Sequence, residues 1–240
     1  MRHTGFIAAL LLAFAALAAH AQQQVIKVSS GTGFFVSREG HILTNAHVVR
    51  ACQDVELGGA MEGRARIIAR DDSTDLAILK AERFAPYTAP LRWNLASLRA
   101  GEKVTMLGYP GQAGLMGQLF YTKAELLGLV GPTGEPNYLQ FTSSAQKGNS
   151  GGPLIDSAGN VIGVVTGKTK LYQIDPTGTQ RTPLLVREAD VAVTLQFIKE
   201  FLSRNKVSFA SGTGGIVGLG DTRIVQDAKR YTVHIRCIVQ

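Results

Sequence analysis

Three short stretches of the chain carry the residue types that covalent acyl transfer requires. They are TNAHVV, which contains His47, DLAIL, which begins at Asp75, and GNSGGPL, which contains Ser150. A serine hydroxyl is a weak nucleophile at neutral pH, so it needs a base to take its proton, and the base needs a carboxylate that orients it. We therefore predict that His47, Asp75 and Ser150 form a catalytic triad in which Ser150 attacks a carbonyl carbon.

Each of these residues also has an ordinary structural interpretation. Ser150 could be a serine in a glycine-rich turn, and His47 a histidine that only satisfies a hydrogen bond in the core. Asp75 competes with Asp71 and Asp72, which precede it in the same polar segment. The apolar residues after Asp75 favour it, because a carboxylate that enters the core needs a partner such as His47. The presence of all three motifs in one chain favours the catalytic interpretation.

Acyl transfer also needs N–H groups that face the carbonyl oxygen as it becomes negative. Gly148 can adopt a backbone conformation that aims its own N–H at that oxygen, with the N–H of Ser150 as the second donor. We predict the oxyanion hole at Gly148, Asn149 and Ser150. No cluster of histidine, cysteine and carboxylate residues has the spacing of a zinc site, so we predict neither a metal nor a cofactor.

Composition and patterning indicate which elements position these residues. The chain has 240 residues, 45% of them hydrophobic and 27 of them glycine. Short β-branched runs lie between the glycines and helical periodicity is scarce, which predicts an all-β fold rich in turns. Only EADVAVTLQFIKEFLSRN has clear helical spacing, with an apolar face formed by Leu195, Ile198, Phe201 and Leu202. Asp190 is a candidate N-cap of this C-terminal amphipathic helix.

The first 21 residues have the pattern of a secretory signal peptide. Arg2 precedes an apolar run over residues 6–18, and Ala19-His20-Ala21 fits a small-residue cleavage site. A membrane anchor or a buried N-terminal helix is the alternative, but a membrane span needs about 20 apolar residues. We predict that residues 1–21 are removed, that no stable membrane anchor remains, and that the mature chain lies in the periplasm or outside the cell.

The distribution of charged residues indicates which partners the protein could bind, and the two cysteines indicate its redox environment. The formal net charge is +7, but the Lys and Arg residues are scattered, so we predict no nucleic-acid binding. Cys52 and Cys237 both belong to the exported part, where a disulfide is permitted, although two free thiols are the alternative. We predict a Cys52–Cys237 bond that fastens the C-terminal tail, residues 206–240, to the first half of the chain.

The chain resembles trypsin-like serine peptidases of the bacterial HtrA-like group. TNAHVV, DSTDLAIL, VTMLGYPG and GNSGGPLID carry the resemblance, which covers about residues 31–205. It implies two six-stranded antiparallel β-barrels, over about residues 25–97 and 98–205, with the active site between them. It also implies a serine endopeptidase that cleaves polypeptides through an acyl-enzyme, with His47 as base, Asp75 as its orienting group and Ser150 as nucleophile.

Two departures from the HtrA-like pattern affect these expectations. Only 240 − 205 = 35 residues follow the helix, too few for the PDZ domain that usually follows the protease in this group, so we expect a member without one. Asn149 stands where digestive relatives have an aspartate that pairs with a new N-terminus, and no Ile-Val-Gly-Gly start is present. We therefore do not expect activation by propeptide cleavage of that kind.

The resemblance also places a primary specificity pocket, with walls formed by Ser144, Ala145, Val165, Thr166 and Gly167. None of these residues is acidic, so a Lys or Arg side chain would bury an unpaired charge, and we predict cleavage after small or medium apolar residues. Lys168 leaves a glutamyl-type endopeptidase open, although Val165 replaces the histidine that such enzymes use. Two other classes also stay open: a catalytically weak, chaperone-like peptide binder, and an esterase or acyl transferase.

Overall fold

The computed structural model describes residues 27–93, 95–111, 117–142, 145–173, 184–212 and 218–239. The predicted signal peptide, residues 1–21, and the predicted pocket residue Ser144 lie outside the described residues. In chain order the described elements are β1 (Lys27–Phe35), β2 (His41–Thr44), α1 (Ala46–Val49), β3 (Asp54–Gly59), β4 (Gly63–Asp71), β5 (Leu76–Ala81), β6 (Leu91–Arg92) and β7 (Lys103–Gly108). They continue with β8 (Phe120–Gly128), β9 (Tyr138–Phe141), β10 (Pro153–Asp156), β11 (Val161–Gln173), β12 (Leu184–Thr194), α2 (Leu195–Arg204), β13 (Ser211–Gly212), α3 (Asp221–Lys229) and β14 (Thr232–Val239).

The first barrel is a closed sheet of six antiparallel strands in the order β1–β14–β3–β4–β5–β2. Its interior is apolar and includes the completely buried side chains of Phe34, Leu43, Leu57, Ile78 and Ile235. The sixth strand, β14, comes from the C-terminal tail and pairs with β1 along its whole length and with β3 on its other side. The tail is thus part of the barrel wall, and the predicted boundaries of residues 25–97 leave out one strand of this barrel.

The second barrel contains six antiparallel strands in the order β10–β7–β8–β9–β12–β11, and the pairing of β10 with β11 closes it. Two short strands, β6 and β13, extend the sheet beyond β11 by parallel pairing. A separate apolar cluster fills this barrel and includes Met106, Leu126, Phe141, Leu154 and Ile162. The two barrels confirm the predicted all-β fold class.

The predicted amphipathic helix is α2, which follows the last strand of the second barrel. It buries the predicted apolar face, formed by Leu195, Ile198, Phe201 and Leu202. The residue at its N-cap is Thr194 rather than Asp190, because Asp190 lies inside β12 and pairs with β9 and β11. The strand pairing of the second barrel therefore overrides the capping preference of the aspartate.

The third helix, α3, lies in the tail and was not predicted. It begins at Asp221 and ends at Lys229, with Ile224, Val225 and Ala228 buried. Asp221 in the first turn and Lys229 in the last turn both suit the helix dipole. No helix in the described ranges is long and apolar enough to cross a membrane.

A disulfide joins the tail strand to the segment behind α1. Cys52 and Cys237 are bonded, with their Cα atoms 5.1 Å apart and a sequence separation of 185 residues. Cys237 belongs to β14, and Cys52 lies just after the helix that carries His47. The bond therefore connects the last barrel strand to the element that presents the candidate base.

Candidate active site

His47 and Asp75 meet at one edge of the first barrel. His47 lies on α1, a single helical turn after β2, and Asp75 immediately precedes β5. The distance from His47 Nδ1 to Asp75 Oδ2 is 2.8 Å, and the backbone N–H of His47 donates to Asp75 Oδ1 at 3.0 Å. This pairing fits the tautomer with hydrogen on Nδ1, which leaves Nε2 free to accept a proton.

The turn before Asp75 is held by a second carboxylate. Asp71 Oδ1 accepts hydrogen bonds from the N–H and hydroxyl of Ser73 and from the N–H of Thr74, and Asp71 Oδ2 accepts one from Arg204 of α2. The Ser73 hydroxyl is the main cause that lowers the pKa of Asp71 to about 2, with further lowering from Arg204 and the backbone donors. This turn delivers Asp75 in a left-handed backbone conformation, with φ at 54°.

The three candidate aspartates thus have different roles. Asp72 forms exposed ion pairs with Arg50 at 3.2 Å and with Arg70 at 3.3 Å. Asp71 organises the turn, and only Asp75 of the three pairs with His47. The structure therefore distinguishes the three aspartates of this segment by their hydrogen-bond and ion-pair partners.

The candidate nucleophile, Ser150, lies in the loop between β9 and β10. Two backbone hydrogen bonds attach this loop to β11: the N–H of Gly151 donates to Val165 O at 2.8 Å, and the N–H of Val165 donates to Gly152 O at 2.9 Å. Ser150 Oγ donates to the carbonyl of Thr166 at 3.0 Å. Within the described residues it forms no hydrogen bond with His47, so the hydroxyl and the base are not yet engaged.

Asn45 and Thr166 connect the part of the site that contains Asp75 to the part that contains Ser150. The buried amide of Asn45 donates to the carbonyl of Asp75 at 2.9 Å and to Thr166 Oγ1 at 3.1 Å. Thr166 was predicted to line the specificity pocket, but its hydroxyl faces Asn45, and its carbonyl holds the Ser150 hydroxyl. Thr166 therefore belongs to the scaffold between Asp75 and Ser150.

The predicted oxyanion hole has two suitable donors rather than three. Gly148 has φ at 98°, and a Cβ atom there would lie 2.2 Å from Tyr109 O, so only glycine fits. The N–H groups of Gly148 and Ser150 have no acceptor among the described residues. Asn149 is different, because its N–H donates to Gln146 O at 3.1 Å and is used within the turn.

Thr32 of β1 is a site residue that the sequence reasoning missed. Its hydroxyl donates to Gly148 O at 2.7 Å and accepts the N–H of Tyr109 at 2.9 Å. Its own N–H donates to Ser150 O at 2.9 Å. Thr32 therefore fastens the nucleophile loop to the first barrel, and the available signal was a polar residue inside the otherwise small and apolar run GTGFF.

Two cavities flank Ser150. The first, which we call the primary pocket, has a volume of about 340 Å³ and is lined by residues that include Ala145, Lys147, Val165, Gly167 and Lys168. Ala145, Val165 and Gly167, three of the predicted pocket residues, line this cavity together with Ser150. Lys168 Nζ binds Glu188 at 3.2 Å.

The second cavity, of about 430 Å³, lies on the other side of Ser150 and includes His47, Gly148, Ser30, His234 and Arg236 in its lining. His234 and Arg236 come from β14, so the tail supplies one wall. His234 Nε2 lies 2.7 Å from Ser30 Oγ, and its ring stacks on Tyr109. Burial lowers the pKa of the His234 imidazole, which favours its neutral form.

A family model described as the trypsin-like peptidase domain matches residues 31–164. This match covers more than half of the chain and includes the three motifs that carry His47, Asp75 and Ser150. The chain belongs to the trypsin-like peptidase family. In this trypsin-like peptidase, no described group of three or more His, Cys, Asp or Glu residues could hold a metal ion.

Serine proteases of the HtrA type are among its relatives. The human serine protease HTRA4 is 35% identical over 179 residues, which cover 68% of this chain and 37% of that protein. The serine protease Rv3671c of Mycobacterium tuberculosis is 36% identical over 152 residues, 59% of this chain and 36% of that protein. The chain therefore spans little more than a third of the length of these curated relatives.

Solved structures of this group share the fold. The structure of the Rv3671c protease in an inactive form has a TM-score of 0.55 and 29% identity, and the match covers 80% of this chain and 94% of that one. The HtrA-type protease AlgW with a decapeptide has a TM-score of 0.56 at 24% identity, which supports the fold alone.

Proposed function

We propose that the protein is a serine endopeptidase that hydrolyses peptide bonds through an acyl-enzyme on Ser150. The observation that carries this proposal is the His47–Asp75 pair, at 2.8 Å, together with the N–H groups of Gly148 and Ser150, which have no acceptor among the described residues. A simple peptide-binding cleft has no need of an oriented imidazole, a carboxylate and free backbone donors around one hydroxyl.

The proposed reaction assigns one role to each group. Ser150 Oγ leaves the carbonyl of Thr166, approaches His47 Nε2 and attacks the scissile carbonyl while His47 takes its proton. Asp75 stabilises the imidazolium that forms. The amides of Gly148 and Ser150 donate to the oxygen that becomes negative. His47 then protonates the leaving amine as the C–N bond breaks. In the second half of the reaction His47 deprotonates water, which attacks the acyl-enzyme, and then returns the proton to Ser150 Oγ as the ester bond breaks.

The walls of the primary pocket would contact the substrate side chain that precedes the scissile bond. Ala145, Val165 and Gly167 present methyl, isopropyl and backbone surfaces, which suit the aliphatic part of a side chain and by themselves carry no charge that would select its end group. A glutamyl preference has less support, because the cation that would favour it, Lys168, is already bound by Glu188.

The peptide-binder alternative has one specific observation in its favour, since Ser150 donates to Thr166 instead of engaging His47. Hydrogen bonds among catalytic residues often tighten only when substrate is bound, so this arrangement is compatible with turnover. An esterase would use the same groups and would differ only in the leaving group.

Covalent labelling of the purified mature protein with a fluorophosphonate tests the proposal. We expect stoichiometric modification of Ser150, mapped by peptide mass spectrometry, and hydrolysis of casein that the reagent abolishes. The Ser150→Ala variant is the matched control and should take up no label. A protein that binds casein without cleaving it and stays unlabelled would be a peptide binder, and hydrolysis of a small ester without casein cleavage would indicate an esterase.

We also propose that the protein is exported. The signal-like residues 1–21, the Cys52–Cys237 bond and the name of one relative support this. That relative, a probable periplasmic DegP-like serine endoprotease of Pseudomonas savastanoi, is 34% identical over 145 residues, 57% of this chain and 28% of that protein. Fractionation with N-terminal sequencing should find a chain that begins at Gln22 outside the cytoplasm, and a cytoplasmic chain that retains Arg2 would contradict export.

A further inference from the structure

Asp190 is a buried carboxylate that the proposed catalytic steps do not use. Asp190 lies in β12, and only 2% of the residue is exposed to solvent. Asp190 Oδ2 accepts a hydrogen bond from the N–H of Ala145 at 3.0 Å. Asp190 Oδ1 is buried as well and has no hydrogen-bond partner among the described residues. One of the two carboxylate oxygens is therefore withdrawn from water without compensation.

No cation in the described part of the chain balances this carboxylate. The residue opposite Asp190 on β11 is Lys168, but its ammonium binds Glu188 at 3.2 Å. Glu188 also attracts Lys170, at 3.8 Å. A buried carboxylate without a counter-ion is costly, and sites that bind a charged ligand are where such groups are found.

The position of Asp190 connects it to the primary pocket. Ala145, which donates to Asp190, and Lys168, which lies opposite it, both line that pocket. Gly167 lines the same wall, and a Cβ atom there would meet nothing within 4 Å, so the wall leaves open space. A long side chain could lay its aliphatic stem along Ala145, Val165 and Gly167 and bring its end group toward Asp190.

We propose that Asp190 makes the primary pocket select a lysine or arginine before the scissile bond. The proposal rests on the proposed endopeptidase function. The prediction of small or medium apolar residues rested on the wall residues that the resemblance implies, none of which is acidic, and this proposal replaces it because Asp190 lies behind that wall. With Asp190 behind the wall, a basic end group gains a counter-ion, and an acidic one is repelled, which also disfavours glutamyl specificity.

Fluorogenic peptides that differ only in the residue before the scissile bond test this assignment. The informative set is lysine, arginine, norleucine, ε-acetyl-lysine and glutamate, since norleucine and acetyl-lysine keep the stem without the charge. We expect kcat/KM for lysine to exceed that for norleucine by about tenfold or more in the wild type, because a buried charge pair contributes on that scale. Equal or faster cleavage after norleucine or acetyl-lysine would overturn the proposal without any variant.

The Asp190→Asn variant separates specificity from a purely structural role. Its amide oxygen can still accept the N–H of Ala145, so the loop that precedes Ser150 keeps its anchor. We expect kcat/KM for the lysine peptide to fall on the order of 100-fold while that for the norleucine peptide stays within about threefold. An equal loss on both peptides would show that Asp190 only supports the loop, and would overturn the proposal.

Two controls keep this outcome distinct from a failure of the proposed function. Glu200→Gln removes a carboxylate from the exposed face of α2 and should leave the lysine-to-norleucine ratio unchanged. Titration with a neutral fluorophosphonate counts competent sites in every preparation. Labelling of Ser150 with a preference for norleucine would overturn the role of Asp190 alone, whereas absence of labelling and of all hydrolysis would overturn the endopeptidase as well.

Discussion

Replacing both Cys52 and Cys237 by alanine should lower the free energy of unfolding substantially. The bond spans a sequence separation of 185 residues, for which the chain-entropy model gives about 5 kcal/mol. Residual structure in the unfolded chain makes this figure an upper bound. Because domains of this kind are stabilised by about 5–15 kcal/mol in total, the loss would leave a marginally stable protein.

Strand β14 should stay in the barrel of this variant, because its ladders with β1 and β3 do not depend on the bond. We therefore expect a folded protein whose urea midpoint is lower by up to about 2 M, taking an m-value of about 2–3 kcal/mol/M. Urea unfolding followed by tryptophan fluorescence and far-UV circular dichroism measures the shift. The oxidised wild type is the reference.

The single variants Cys52→Ala and Cys237→Ala supply the internal control. Each removes the same bond, so each should lose nearly as much as the double variant, whereas independent packing effects would add. A midpoint that is equal in the oxidised wild type and the double variant would refute the reasoning. Two alkylatable thiols in native, oxidised protein would refute the pairing itself.

Two further results are expected. Ser150→Ala should reduce kcat on the order of 10⁶-fold, His47→Ala by about as much and Asp75→Ala by less, and retained activity on a peptide substrate in any of them would contradict the triad. Asp71→Asn should destabilise the fold by about 1–2 kcal/mol at pH 7. Because the folded-state pKa of Asp71, about 2, lies below its ordinary value of 3.8, this contribution is present above about pH 4 and is lost as the pH falls toward 2. Unfolding curves of both proteins at pH 7 and pH 2 measure it, and an equal difference at the two pH values would contradict it.

Features encoded in short contiguous runs could be predicted from the sequence. The spacing of Leu195, Ile198, Phe201 and Leu202 determines the buried face of α2 whatever packs against it. The glycine at position 148 is required by a local backbone conformation, with φ at 98°. The motifs around His47, Asp75 and Ser150 also indicate the type of reaction, because each short motif contains both the functional side chain and the residues that form the strand end or turn that carries it.

Only the tertiary structure decided the features that depend on a distant partner. The tail strand β14 closes the first barrel between β1 and β3, although almost 200 residues separate β1 from it. Asp190 reads locally as a helix cap, yet β9 and β11 pair with its backbone and direct its carboxylate to Ala145. Thr32 shows no role until the nucleophile loop is placed beside it. Hydrogen-bond partners brought together by barrel closure are set by packing across the whole chain, and no local pattern contains that information.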